Sequence, residues 1–388
     1  MRTVGIICEY NPFHNGHLRQ LRLAREAAGE DCAVVCLMSG NFVQRGEPAV
    51  FPKRLRAEAA LRCGADLVLE LPLTVALSSA EGFAAGGVRI LSALGCDDLC
   101  YGIESEDHNK IMSTARANLD PGFDSLLRAE LETGCSYASA RQRALEQLGA
   151  GEGLQTPNDV LAVEYCKAIL RQNSPLRPLH IRRPNTYHAE TLDPEAPSAM
   201  ALRKRIESDP YSWHSAVPEA LHGLYETAPL HTLQAGERAV LAILRTLPDE
   251  AFAALPFGAE GLWSKLRKAC RSCADVEEII EATKSKRYAR SRVQRMLLCA
   301  VLGLTGADLD AAPPYARILG FHPTGRSLLR DMKSRFPLVN AGERPPKTAE
   351  AQRYFSLECR AAALYGLFAA EAPEPPDAEA ALRVVSLS

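Results

Sequence analysis

Four short apolar runs in the first 105 residues constrain the fold more than any other feature. The runs are continuously apolar rather than alternating, and a helix-like stretch follows each one; they are TVGIIC (3–8), AVVCLMS (33–39), DLVLEL (66–71) and DLCYGIES (98–105). Strands that are covered by helices on both faces of a parallel sheet have this pattern. Together with a fifth strand-like run at 179–183, they predict a doubly wound α/β domain.

The second half of the sequence has helical periodicity. GERAVLAILRTL (236–247) and SRVQRMLLCAVLGL (291–304) repeat their apolar residues at helical spacing. We expect no strand beyond about residue 205, which divides the chain into an α/β domain at 1–205 and an α-helical domain at 206–388. The Pro- and acid-rich tail at 369–381 is expected to be loosely ordered.

Composition indicates an ordinary globular protein of the cytoplasm. The net charge is −2, with 47% hydrophobic and 24% charged residues, so no global field draws the protein to nucleic acid. No apolar run approaches the ~20 residues of a membrane span, and the N-terminus lacks a signal-peptide pattern. Most of the twelve cysteines lie in apolar runs, and the single Cys270/Cys273 pair lacks the partners of a zinc site. We therefore predict no protein-bound metal.

The junction after the first apolar run carries two histidines. VGIICEYNPFHNGHLRQL (4–21) ends its apolar run in Asn and Pro, then places His14 and His17 around Gly16. A helix that starts after a buried strand presents unpaired N–H groups and a positive dipole end, which bind anions. We expect this helix to begin near His17 with Leu18 on its buried face, and both imidazoles to donate to a phosphate. The alternative is a pair of structural histidines at a turn.

The His-x-Gly-His spacing resembles the HxGH signature of the nucleotidyltransferase superfamily, in which the motif binds ATP phosphates during adenylyl transfer. PSAMALR (197–203) resembles the ISxxxxR segment of the same superfamily, with Pro197 where Ile is usual. The resemblance implies that Ser198 caps a helix and that Arg203 reaches the phosphates.

Longer segments are similar to one family, the bacterial tRNA(Met) cytidine acetate ligases. EYNPFHNGH, SGNFVQRGEPA, GADLVLELP, YGIESE and TPNDVLAVEY occur here in the order found in that family, and the similarity covers nearly the whole chain. It implies a Rossmann-like nucleotidyltransferase domain followed by a tRNA-binding helical domain. The implied activity forms acetyl-adenylate from ATP and acetate, then acetylates N4 of the wobble cytidine in elongator tRNA(Met). Mg²⁺ is expected to accompany the triphosphate.

The resemblance also implies the site residues. His14 and His17 are the expected catalytic pair. The ATP-binding set is Ile7, Cys8, Glu9, Tyr10, Asn11, Pro12, Phe13, His14, Asn15, Gly16, His17, Leu18, Arg19, Gln20, Gly102, Asn158, Ser198 and Arg203, with Arg182 and Arg183 as alternatives for one phosphate contact. Ser39, Gln44 and Arg45 are expected to face the same crevice and to hold acetate or position tRNA, unless they form an ordinary polar loop.

A basic stretch in the second half is the expected tRNA contact. TKSKRYARSRVQR (283–295) contains no acid, and its predicted phosphate-binding residues are Lys284, Lys286, Arg287, Arg290 and Arg292. A solvated helix face is the alternative for this stretch. For the whole chain, two other functions remain open: an adenylyltransferase for a small metabolite, and a non-catalytic RNA-binding protein with a residual nucleotide fold. The sequence leaves the oligomeric state open.

Overall fold

The structure is a computed structural model that describes residues 1–154, 156–183, 197–209 and 212–388, without the side chain of Ser208. Its strands are β1 Thr3–Cys8, β2 Ala33–Ser39, β3 Phe42–Val43, β4 Glu47–Pro48, β5 Leu67–Leu71, β6 Asp98–Ile103, β7 Arg177–Arg182, β8 Ala316–Phe321, β9 Leu338–Asn340 and β10 Val385–Ser386. The five apolar runs of the first half therefore form β1, β2, β5, β6 and β7, as predicted.

The main sheet has the order β10-β8-β5-β2-β1-β6-β7, and β9 pairs with β8. The strands β5, β2, β1, β6 and β7 are parallel, whereas β8 runs antiparallel to β5. The strand order reverses at β1, because β2 lies on one side of it and β6 on the other. Ligands of open α/β sheets bind beyond the carboxyl ends of the strands at such a switch point.

Helices cover both faces of the sheet and fill the region that follows it. Their bounds are α1 Asn15–Ala28, α2 Lys53–Arg62, α3 Leu73–Ala76, α4 Ala80–Leu94, α5 His108–Ala117, α6 Phe123–Glu132, α7 Tyr137–Gln147, α8 Pro157–Arg171, α9 Ala199–Ser208, α10 His222–Glu226, α11 Glu237–Thr246, α12 Asp249–Ala253, α13 Leu262–Ser272, α14 Val276–Thr283, α15 Arg290–Leu302, α16 Gly306–Asp310, α17 Pro323–Arg335, α18 Ala349–Tyr365 and α19 Ala378–Ala381. Within the described ranges, none of these helices has the length and apolarity to cross a membrane.

The expectation of no strand beyond residue 205 is wrong, because β8, β9 and β10 return to the sheet. The sequence pattern did not indicate β8 as a buried strand, because a charged residue, Arg317, lies within it. Arg317 is fully buried and pairs with Glu358 at 2.8 Å. The division at residue 205 stays a prediction, although residues 316–386 contribute strands to the sheet of the first half.

The C-terminal tail is more ordered than its composition suggests. Glu379, on α19, is buried and accepts a hydrogen bond from Lys53 Nζ at 2.7 Å. Lys53 also pairs with Glu70 of β5 at 2.8 Å. Because buried charges are retained when they are paired, these contacts attach the tail to α2 and to the sheet.

Candidate active site

The two histidines lie at the start of α1, directly beyond β1. His14 is the N-cap, so the helix begins at Asn15, two residues before the predicted start. His14 Nδ1 accepts a hydrogen bond from the Gly16 N–H at 3.1 Å, and His17 Nδ1 accepts one from the His14 N–H at 3.3 Å. The two rings stack with their centroids 3.7 Å apart. The backbone thus fixes the orientation of both imidazoles.

These hydrogen bonds determine the tautomer of each ring. A neutral imidazole that accepts at Nδ1 carries its proton on Nε2, which is then a donor. Burial and the nearby charge of Arg183 lower the pKa of His14 to about 3. Burial, His14 and Arg183 hold the pKa of His17 well below its ordinary value. Both rings are therefore neutral donors at physiological pH.

The segment between β1 and α1 is mostly framework. Phe13 is fully buried, and its N–H donates to Tyr225 Oη at 3.1 Å. Arg203 Nη1 donates to the Asn11 carbonyl at 2.8 Å, so α9 reaches the segment that carries the histidines. Ser198 holds the N-cap position of α9, as expected, although its side chain makes no capping hydrogen bond.

A second wall forms beyond β6 and β7. Gly102 is needed there because a Cβ would lie 2.7 Å from Arg183 Cδ. Arg183 Nη1 donates to Asn158 Oδ1 at 3.3 Å, and Asn158 Nδ2 donates to Glu104 Oε1. Arg182 also borders the cavity, but its side chain is exposed and its guanidinium pairs with Glu106 at 2.7 Å. Of the two arginines, Arg183 is the one whose charge reaches the histidines.

The loop after β2 forms a third wall as the β3–β4 hairpin. The Gln44 N–H donates to Glu9 Oε1 at 2.7 Å, and burial raises the pKa of Glu9. Arg295 of α15 donates from Nη1 to the Gln44 carbonyl at 3.3 Å. Ser39 is fully buried and does not face the crevice, so that expectation is wrong.

These walls enclose a cavity of about 450 Å³ at the switch point between β1 and β6. The expected residues that line it are Ile7, Cys8, Glu9, Tyr10, Asn11, His14, Gly16, His17, Arg19, Gln20, Gln44, Arg45, Gly102, Asn158, Arg182, Arg183, Ser198 and Arg203. The expected residues that do not line it are Pro12, Phe13, Asn15, Leu18 and Ser39. Leu18 is 37% exposed, contrary to the buried face predicted for it.

The sequence prediction missed several lining residues. Phe83, Tyr101 and Tyr165 line the cavity with aromatic surface, and Glu47 and Glu104 add carboxylates. The aromatic residues belong to apolar helices and a strand, where the sequence pattern does not distinguish a cavity wall from core. Glu104 lies near the end of the fourth apolar run, directly after the parallel strand β6, and that position was a usable signal.

The basic stretch does not line this cavity. Acidic residues of neighbouring helices and loops pair with much of it: Lys284 with Glu281 at 2.6 Å, Arg287 with Glu260 at 3.1 Å, and Arg290 with Glu281 at 3.0 Å. Arg292 donates to a backbone carbonyl, that of Phe257, at 3.0 Å. Lys286 is exposed and has no ion pair with any described residue. These ion pairs thus neutralise part of the positive charge of residues 283–295.

The part of the chain that the structure describes holds no group of three or more His, Cys, Asp or Glu residues suited to a metal ion. A cation at this site would therefore take most of its ligands from a bound substrate and from water.

Comparison with known proteins identifies the family. Residues 1–379 match the model of the HIGH Nucleotidyl Transferase family. The tRNA(Met) cytidine acetate ligase of Acetivibrio thermocellus is 37% identical over 365 residues, covering 87% of this chain and 88% of the relative. The ligase of the same name from Caldanaerobacter subterraneus subsp. tengcongensis is 36% identical and covers 95% of both chains.

Solved structures of Thermotoga maritima TmcAL are similar over the full length of both chains. The apo form I superposes with a TM-score of 0.91 at 30% identity. The form bound to alpha-thio ATP superposes with a TM-score of 0.88 at the same identity. The chain therefore belongs to the HIGH nucleotidyl transferase family and, within it, to the tRNA(Met) cytidine acetate ligases.

Proposed function

We propose that this protein activates acetate with ATP and transfers the acetyl group to N4 of the wobble cytidine of elongator tRNA(Met). The observation that carries the proposal is the pair of neutral imidazoles whose Nδ1 atoms accept backbone N–H groups at the switch point. Each Nε2–H is then available to a phosphate oxygen. The names of the relatives and the ATP analogue bound to Thermotoga maritima TmcAL support ATP and tRNA(Met) as the substrates.

In the first step a carboxylate oxygen of acetate attacks the α-phosphorus of ATP. The new O–P bond forms as the bond to the β-phosphate oxygen breaks, and pyrophosphate leaves with the bonding electrons. His14 and His17 donate to phosphate oxygens, and the guanidinium groups of Arg183 and Arg203 offset the developing negative charge. The protein thus contributes positioning and fixed electrostatic stabilisation and needs no covalent nucleophile.

In the second step the exocyclic amine of cytidine attacks the acetyl carbon. This amine is a weak nucleophile because its lone pair is delocalised into the ring, so the acetyl group must be activated first. The N–C bond forms, the bond from the acetyl carbon to AMP breaks, and the nitrogen releases one proton.

Mg²⁺ fits this site as a companion of the triphosphate. Glu9 and Glu47 are single carboxylates in the cavity. Glu9 accepts a hydrogen bond from the Gln44 N–H at 2.7 Å. Glu47 accepts one from Gln294 Nε2 at 2.9 Å and pairs with Arg203 Nη2 at 3.7 Å. Such a site suits an ion that keeps phosphate and water ligands and takes one or two carboxylates from the protein. When bound, Mg²⁺ would neutralise triphosphate charge.

The proposed tRNA-binding role of residues 284–292 is supported by exposure and charge alone. Lys286 is the strongest candidate for a phosphate contact, because it is exposed and its charge is not offset by an ion pair with a described residue. Arg295 connects α15 to the Gln44 carbonyl in the cavity wall, so a nucleic acid bound on this side would lie next to the loop over the site.

The test is formation of labelled acetyl-adenylate from [¹⁴C]acetate and ATP, first without tRNA and then with it. The proposal requires acetyl-adenylate in both cases and transfer of label to tRNA only when tRNA(Met) is present. An adenylyltransferase for another metabolite would not join AMP to acetate, so no labelled acetyl-adenylate would form. A non-catalytic RNA-binding protein would release no pyrophosphate. His180→Ala is the matched control, because His180 stacks on His108 and does not line the cavity.

A further inference from the structure

Glu104 is a carboxylate that lines the cavity without a cation beside it. It follows β6, is 8% exposed, and accepts one hydrogen bond, from Asn158 Nδ2, at Oε1. Its backbone N–H is held by Asp159 Oδ1 at 2.9 Å, which fixes the position of the residue. Among the described residues, no Lys, Arg or His forms an ion pair with Glu104. Its second oxygen, Oε2, accepts no hydrogen bond from them either.

A buried carboxylate is stable only when its oxygens accept hydrogen bonds or meet a cation. An ionised carboxylate has about four lone-pair sites, and one N–H group leaves most of them open. Because Glu104 lines the cavity, a ligand there can donate hydrogen bonds to these open sites. A phosphate group does not suit this position, because its negative charge would be repelled.

The neighbours of Glu104 indicate which part of a nucleotide it faces. Arg183 lines the same cavity as His14 and His17 and donates to Asn158, and its charge contributes to the lowered pKa of both histidines. Asn158 in turn donates to Glu104. The path from the histidines to Glu104 therefore passes through two side chains. If the phosphates lie at the histidines, the next part of ATP along this path is the sugar, and its hydroxyl groups are neutral donors.

We propose that Glu104 accepts hydrogen bonds from the ribose hydroxyls of ATP and makes the site selective for ribonucleotides. The inference rests on the proposed function only in taking ATP as the nucleotide. Glu104 also orients the Asn158 amide, because Asn158 donates to it from Nδ2 while accepting from Arg183 at Oδ1. Loss of the carboxylate thus affects Arg183 as well, and the diagnostic quantity is the preference for ATP over deoxy analogues.

The experiment measures equilibrium dissociation constants of ATP, 2′-deoxy-ATP and 3′-deoxy-ATP by calorimetry on the full-length protein. A hydrogen bond to a charged group corresponds to roughly a 10- to 100-fold change in affinity. The wild type should prefer ATP by about that factor over at least one deoxy analogue. In Glu104→Ala, the preference should fall to near one, because ATP loses this bond and the deoxy analogue has none to lose.

Two further variants make the result specific. Glu106→Ala is the matched control, since Glu106 lies two residues away and pairs with Arg182 at the surface; its ATP preference should equal that of the wild type. Glu104→Gln keeps the side-chain size but offers a neutral acceptor, so the preference for ATP over the deoxy analogue should fall several-fold. This variant replaces Glu104→Ala in the experiment if Glu104→Ala does not fold.

Two results would overturn the inference: a wild type that binds ATP and both deoxy analogues equally, or Glu104 variants that weaken all three nucleotides by the same factor. Since binding is measured without acetate or tRNA, the ribose result stands apart from the proposed reaction. A protein that discriminates sugars but forms no acetyl-adenylate would contradict the proposed function alone.

Discussion

Replacing His17 by Ala should slow acetyl-adenylate formation strongly while leaving the fold intact. The substitution removes the Nε2–H that faces the cavity, and loss of one transition-state donor typically costs 10²–10³ in rate, or about 3–4 kcal/mol. It also removes the acceptor for the His14 N–H at 3.3 Å, which should cost about 1 kcal/mol of stability. The helix α1 still buries Leu21 and Ala24, so the protein should remain folded.

The assay is tRNA-independent pyrophosphate release at saturating ATP and acetate, together with urea unfolding of the same samples. His17→Gln is the informative companion, because its side-chain amide retains a donor and should recover part of the lost rate. His180→Ala should behave as the wild type. Near-normal turnover of folded His17→Ala would refute the role of His17 as a donor to phosphate.

Three further predictions follow from the geometry. Because the pKa of His14 is lowered to about 3, its ring should stay neutral through the ordinary imidazole range. The hydrogen bond by which His14 caps α1 should be lost only as the pH falls toward that lowered value. An NMR titration of His14 with a midpoint near 6.5 would contradict this prediction. In steady-state kinetics, Arg183→Ala should raise the KM for ATP at least tenfold, because it removes a charge-assisted hydrogen bond in the cavity. Arg182→Ala should raise this KM less than threefold, because it removes an exposed ion pair. Equal effects would refute the assignment of Arg183 as the arginine that contacts phosphate. If the basic stretch binds tRNA, Lys286→Ala should reduce the slope of log affinity against log salt by about one in filter binding, without changing acetyl-adenylate formation; an unchanged slope would exclude a phosphate contact.

The sequence was most informative where one physical cause determines the pattern. Continuous apolar runs predicted the parallel strands, because both faces of those strands are covered, and the switch point then located the cavity. Gly102 was expected only as a member of the ATP-binding set, and the structure shows that the Arg183 side chain lies against it.

Two of the failures arise from pairing between residues that are not neighbours in the chain. Arg317 within β8 looks incompatible with a buried strand until Glu358 is placed beside it, 41 residues later. The basic stretch looks unopposed because Glu260 and Glu277 precede it in sequence and meet it only in space. The histidines were expected as donors, but their roles as acceptors for backbone N–H groups depend on the exact start of α1.

Direct analysis of the modified nucleoside tests the central claim. Unmodified elongator tRNA(Met) is incubated with the protein, ATP and [¹³C]acetate, then digested to nucleosides and examined by mass spectrometry. The proposed activity requires labelled N4-acetylcytidine, one per tRNA and at the wobble position, whose formation depends on both ATP and acetate. Acetyl-adenylate that accumulates while tRNA(Met) remains unmodified would contradict it.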